Sequence, residues 1–321
     1  MSHLQRAVES FEPRGTPLAL ARSLMAFAQL ATILSAPDRL LFGGRPGSTP
    51  GTRCAGLRDA ALWCVTGGNA QADIVGRVLA VGVLLVVAAG FRPRWSCIAH
   101  YYVTFSIAVN STVINGGDEV AEILALLLIP LCLGDPRSWA WQTPTCPLRP
   151  AWRGSAFAAL AVLRCQIVVI YLTAVVSKLS FPAWRRGTAL GILAHDPEFG
   201  FPGAVRPLAG QLFSHAWATD SLTWSVLAVE VLVALSMVLG RRGRRCGLGL
   251  AILLHGAIIL LMGLFSFGLI MIASVLTACA ERPADRLARG HNRQESARSH
   301  YGREDRHESG DSTVRGWTRL A

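Results

Sequence analysis

Lysine is almost missing from this chain. Lys178 is the only one among 31 basic side chains, and the rest are arginine. Charged residues of either sign make up only 16% of the 321 residues, against 52% hydrophobic ones, which excludes an ordinary soluble domain. The eight cysteines include no CxxC pair and no zinc-ligand spacing, so neither a redox motif nor a metal centre is expected. His195 and Asp196 lack two further ligands at a recognisable spacing. The first 17 residues are polar and include Glu9 and Glu12, unlike an ordinary signal peptide. The net charge of +11 sits largely between apolar blocks, as in RRGRR at Arg241 to Arg245. That is how charges flanking membrane spans are arranged, and it argues against nucleic-acid binding.

The remaining residues form long apolar runs. The sequence therefore predicts an all-α, polytopic membrane helical bundle of about eight transmembrane helices. Spans are expected at 19–36, 74–91, 97–114, 120–134, 156–179 and 222–239, with two more in the apolar block from Cys246 to Ala280. That block of 35 residues would extend about 50 Å as one helix, enough for two crossings with a turn near 263–268. Three parts follow: a cytoplasmic N-terminal segment 1–17, a transmembrane domain 18–280, and a charged tail 281–321. The tail holds nine arginines and seven acids and is expected to be disordered. Basic residues in alternate loops predict both termini inside, in a multi-pass protein of the cell membrane. The long first outer loop, with Arg39, Arg45, Arg53 and Arg58, runs against that charge pattern. If outside, its Cys54 and Cys64 could form a disulfide. Short interfacial or re-entrant pieces are expected around 185–217.

Ionisable groups inside spans are costly and tend to mark functional interiors. Lys178 ends span five, where a residue that can lose its proton differs from a permanently charged guanidinium. Arg164, Tyr171 and Lys178 are spaced by seven and share one face of that helix. Two readings fit this stripe: an inward-pointing row, or two cations snorkelling to opposite interfaces with Tyr171 packing between them. Counted from the nearest loops, Asp118, Glu119 and Glu122 of span four and Asn110 and Asn115 of span three lie at the depth of Lys178. They could share an outward-facing pocket with it. Glu230, His255 and Arg164 lie deeper and could form a second charged network. Arg22, near the inner end of span one, reads as an interfacial anchor.

One segment carries a family likeness. Tyr171 and Ala174, then Ser177-Lys178-Leu179, then Trp184, Gly187 and Ala189, resemble the lysine segment of the horizontally transferred transmembrane domain. Vitamin K-dependent gamma-carboxylase shares that domain. Weaker pieces are Asn115-Gly116-Gly117-Asp118, the arginine of span one, and the turn at Phe265 to Phe267. Within that group the chain looks most like the sporulation-delaying protein B family, over roughly residues 15–282. The resemblance implies a bundle with an outward-opening cavity, Lys178 in proton-transfer chemistry, and Trp184 and Gly187 as packing residues of the motif. It also implies a role in maturing an exported antimicrobial-type peptide, with a small partner protein and the secreted peptide as partners. A quinone or hydroquinone cofactor comes from the carboxylase side of the likeness. The carboxylase carries a histidine near the turn where this chain reads Asn-Gly-Gly-Asp. Three other functions fit the sequence: an immunity or peptide-presenting protein without catalysis, a hydroquinone-dependent oxidase or carboxylase, and a transporter.

Overall fold

The computed structural model describes residues 3–36, 41, 54–67, 70–111, 116–196, 200–203 and 205–281. Eleven α-helices longer than four residues lie within them. They are α1 (His3–Glu9), α2 (Thr16–Ser35), α3 (Ala70–Ala89), α4 (Pro93–Asn110), α5 (Gly116–Cys132) and α6 (Pro150–Ser180), followed by α7 (Ala189–Ala194), α8 (Arg206–Phe213), α9 (Ala216–Val238), α10 (Arg241–Met262) and α11 (Phe265–Ala278). No strand occurs among the described residues, only an isolated bridge between Phe91 and Trp139. Proline opens α2, α4, α6 and α8 in the first turn, where its missing N–H costs nothing. Pro182 follows the end of α6 at Ser180 and opens a single turn, Pro182–Arg185.

The fold is built around α11. This short helix packs against α2, α5, α6 and α10, and most of its length from Gly268 onward is buried. It leaves α10 at Gly263, whose φ of +68° closes the helix in a left-handed turn. The main core joins α2, α5, α6, α9, α10 and α11 through residues such as Met25, Leu128, Leu160, Val233 and Ile270. A second core lies on the other face of α2, where Ile33, Leu84, Val103 and Trp63 meet. Large apolar side chains on the outer faces, among them Val176, Val238, Leu253 and Leu260, are exposed, as lipid-facing residues are in a bundle. The chain is a multi-pass membrane protein.

The expectation of about eight membrane-crossing helices does not hold. Among the described residues four helices, α2, α6, α9 and α10, are long and apolar enough to cross by length and composition. Two more apolar stretches, Ile74–Ala89 within α3 and Phe265–Ala278 (α11), are shorter. The sequence count assumed that every apolar run spans a bilayer core of about 30 Å. The 14 residues of α11 reach only about 21 Å. The 17 of α5 begin with Asp118 and Glu119, and α4 buries Ser96, His100, Thr104, Ser106 and Asn110. Both packing needs and polar bonding thus shape helices that sequence arithmetic treats as spans. The stretch 185–217 holds α7 and α8, six and eight residues long, packed against α9.

The N-terminal segment is part of the packed body. Phe11, Glu12 and Arg14 are buried. Two Arg14 donors meet both Glu12 oxygens at 2.7 Å, and the pair binds Cys146 O and Leu148 N ahead of α6. Burial lowers the affinity of the Arg14 guanidinium for its proton, but the Glu12 carboxylate more than offsets this, and the net direction is upward. Cys54 and Cys64 are joined in a disulfide with Cα atoms 5.5 Å apart, in a loop that buries Trp63. The tail 282–321, expected to be disordered, lies outside the described residues.

Candidate functional site: paired polar groups inside the bundle

Lys178 lies in the last turn of α6, and its Nζ donates to Glu230 Oε1 of α9 at 2.6 Å. Glu230 is nearly buried and Lys178 about a quarter exposed, with side-chain accessibilities of 8% and 27%. Two turns earlier on the same face of α6, Tyr171 Oη lies 2.8 Å from His255 Nε2 of α10. With the proton on Nδ1 of the imidazole, Tyr171 donates; with it on Nε2, the ring donates to the phenol oxygen. Lys178 acts electrostatically on His255, and Glu230 on Tyr171, so the two pairs form one cluster. Lys178 Nζ also sits 5.6 Å from the centre of the Trp184 ring, in cation–π range. Phe267 of α11 packs edge-on to His255.

Two atoms of the cluster are left over. Glu230 Oε2 and His255 Nδ1 are buried and have no hydrogen-bond partner among the described residues. An unsatisfied buried acceptor or donor is expensive and rare in native interiors. Here both occur in one cluster, beside the only lysine.

A cavity of about 730 Å³ lies along the segment after α6 and the first turn of α9, lined by Arg186, Gly187, His195, Trp217, Thr219 and Asp220; none of Lys178, Tyr171, Glu230 and His255 lines it. It falls within the ordinary range for small-molecule and peptide pockets, about 300–1,000 Å³. Gly187 fixes its wall. Its φ is +73°, and a Cβ there would overlap the Asp220 carboxylate and stand 3.0 Å from Asp220 Cα. Leu190 N donates to Thr223 Oγ1 at 3.3 Å, so the segment after α6 lies along the first turns of α9.

That arrangement explains the pairing of Lys178. The sequence placed Glu230 deep and Lys178 shallow by counting from loops. The first turns of α9 instead run past the end of α6, beside Gly187 and Leu190, and bring Glu230 level with Lys178. The other polar residues go elsewhere. Asp118 is buried in the first turn of α5, next to exposed Glu119, and its electrostatic neighbour is Glu119 rather than Lys178. Glu122 is half-buried, and Asn110 donates back to Ser106 O at 3.0 Å. Asn115 lies outside the described residues. Arg164 binds Ala278 O and Glu281, about 21 Å along α6 from Lys178, and does not join Glu230 and His255. Arg22, read as an interfacial anchor, is buried and bonds Ser96 of α4. No cluster of three or more metal-ligating side chains occurs among the described residues.

Two curated proteins of Bacillus subtilis (strain 168) are similar to the chain. Uncharacterized protein YitO is 30% identical over 253 residues, covering 78% of this chain and 81% of YitO. Sporulation-delaying protein SdpB is 28% identical over 277 residues, covering 86% of this chain and 84% of SdpB. No family model matches the chain, and no solved structure does. With this identity over most of both chains, the protein belongs to the family of YitO and SdpB.

Proposed function

We propose that this membrane protein acts in the maturation of an exported antimicrobial-type peptide, and that the Lys178–Glu230 and Tyr171–His255 pairs move a proton during that step. The observation that carries the reading is the pair of unpartnered atoms, Glu230 Oε2 and His255 Nδ1, buried within one cluster of ionisable groups. General acid–base work needs a group that changes its proton within reach of the reacting atom. An amine held at 2.6 Å by a carboxylate can hand its proton over and take it back, whereas an arginine cannot. Similarity to a sporulation-delaying protein supports the biological context. The likeness of the Tyr171–Ala189 segment to the carboxylase membrane domain supports the assignment of Lys178.

In this reading the cavity beside Gly187 receives the peptide. Arg186 and Asp220 offer it one charge of each sign, and Trp217 offers an apolar face. The residues of the cluster also fit a hydroquinone: Glu230 Oε2 would accept from one ring hydroxyl and His255 Nδ1 would bond a second polar group. Such a group, when bound, supplies a hydroxyl that can lose its proton. The chain's own part is to hold that proton on Lys178 and Glu230.

Lys178→Arg tests the proposal, since it keeps the charge and removes a proton that can leave at ordinary pH. Peptide maturation should be lost while the protein accumulates normally in the membrane. Normal maturation at normal protein levels would remove the proton-transfer reading.

A further inference from the structure

Away from the Lys178 cluster, one buried cation has no counter-charge among the described residues. Arg22 lies in the second turn of α2 and is only 1% exposed. Its Nη2 donates to Ser96 Oγ of α4 at 2.8 Å. Its Nε and Nη1 are buried and have no partner among the described residues. The acids that engage cations are committed elsewhere: Glu12 to Arg14, Asp135 to Arg137, Glu230 to Lys178 and Glu281 to Arg164. Gln29, two turns further along α2, is closed on α4. Gln29 bonds Thr104 Oγ1 at 3.0 Å and His100 Nε2 at 2.9 Å.

A guanidinium presents five N–H donors and stays charged. Left buried without a counter-ion it is strongly unfavourable, since Coulomb and solvation terms both grow in a low dielectric. A water molecule would satisfy a donor but leave the charge uncompensated. Ser96 adds a hydroxyl whose oxygen accepts from Arg22, and whose proton has no acceptor among the described residues. The thiols of Cys97 and Cys132 are within electrostatic reach of Arg22 and are each at most 2% exposed. Burial this complete excludes a bulky anionic headgroup, and a small inorganic ion is the counter-charge that needs least room.

We propose that Arg22 and Ser96 form a binding site for a small inorganic anion, held between α2, α4 and the end of α5. The anion would accept from Nε, Nη1 and the Ser96 hydroxyl and would complete the charge balance of the first core. The site is separate from the proton-transfer cluster and does not depend on it.

The test uses the full chain in detergent, with chloride exchanged for gluconate at constant ionic strength. The thermal unfolding midpoint should rise saturably with chloride and with bromide, and stay flat with gluconate or phosphate. Arg22→Gln should abolish the response, while Arg94→Gln, at an exposed position, should retain it. Ser96→Ala should raise the half-saturating chloride concentration about tenfold, the loss expected for one hydrogen bond in a charged site. Crystals grown in bromide should give an anomalous peak within bonding distance of the guanidinium. Equal midpoints in chloride and gluconate overturn the proposal, as does a halide response that survives Arg22→Gln. If Arg22→Gln does not fold, the Ser96→Ala titration and the bromide peak decide. An unshifted titration or an empty guanidinium then overturns it.

Discussion

Lys178 and Glu230 meet at 2.6 Å across α6 and α9, yet the two ends of this ion pair sit in different surroundings. The lysine is 27% exposed and leans on Trp184, whereas the carboxylate is 8% exposed and keeps one oxygen without a donor among the described residues. Removing either partner is therefore expected to have unequal effects. Lys178→Met leaves a buried, unpaired carboxylate and should cost about 3–5 kcal/mol, the range for breaking a buried pair from one side. Glu230→Gln leaves an amine that can reach water and should cost about 1–2 kcal/mol. The double substitution Lys178→Met with Glu230→Leu should recover most of the loss. Denaturant unfolding of the purified variants measures this cycle. Equal single losses that simply add would show that the pair is not coupled.

Much of the Lys178 site was visible in the sequence, but its partner was not. A single lysine at the end of an apolar helix, seven residues after Tyr171, can be found by inspection, because one helix fixes the relation between its own residues. Glu230 and His255 could be recognised as costly groups inside spans. Their pairing could not, because depth was counted from loops and α9 does not begin level with the end of α6. The same arithmetic assigned eight crossings to runs whose helices are 14 to 31 residues long. Arg164 shares the stripe of Lys178 but turns to Glu281, a residue that the sequence assigns to the tail. The sequence shows residues 1–17 only as a polar segment, because nothing local reveals that Leu148 N and Cys146 O wait for Glu12 and Arg14.

Tyr171 offers a narrower substitution. Tyr171→Phe removes one hydroxyl from a residue that is 1% exposed and leaves the ring in place. Both nitrogens of His255 then lack partners, since Nδ1 has none among the described residues in the native protein. A loss of about 1–3 kcal/mol is expected, the cost of one unmet buried polar group. Under the proposed proton path, peptide maturation should fall further than the amount of folded protein. Measuring maturation per folded molecule separates the two effects.

Gly187 should tolerate no side chain. Gly187→Ala places a Cβ at φ +73°, which by itself costs about 1–2 kcal/mol. The same Cβ overlaps the Asp220 carboxylate, a flexible and exposed group that can move aside. Asp220 Cα, at 3.0 Å, cannot. Adding Asp220→Ala to Gly187→Ala should therefore restore only part of the lost stability. Full restoration, measured by the unfolding midpoint, would mean that side-chain overlap alone matters here.

Glu12 ties the start of the chain to the start of α6. Its two oxygens take the Arg14 guanidinium at 2.7 Å each, and one of them also accepts from Leu148 N at 3.1 Å. Both side chains are at most 3% exposed, so neither can find water if the other is removed. Glu12→Gln keeps the shape and part of the hydrogen bonding but leaves Arg14 charged and buried against the Cys146 carbonyl. That change should cost about 3–5 kcal/mol. Arg14→Met should cost as much by stranding the carboxylate. Glu12→Leu with Arg14→Met removes both charges and leaves only the backbone groups Arg14 N, Leu148 N and Cys146 O unmatched, so it should be milder than either single change. Because these contacts hold the segment before Thr16 against the turn before Pro150, the two charge-stranding variants should also expose that segment to protease. Limited proteolysis followed by mass spectrometry reads this directly: new cleavage should fall between Glu9 and Thr16, while the membrane-embedded helices stay intact.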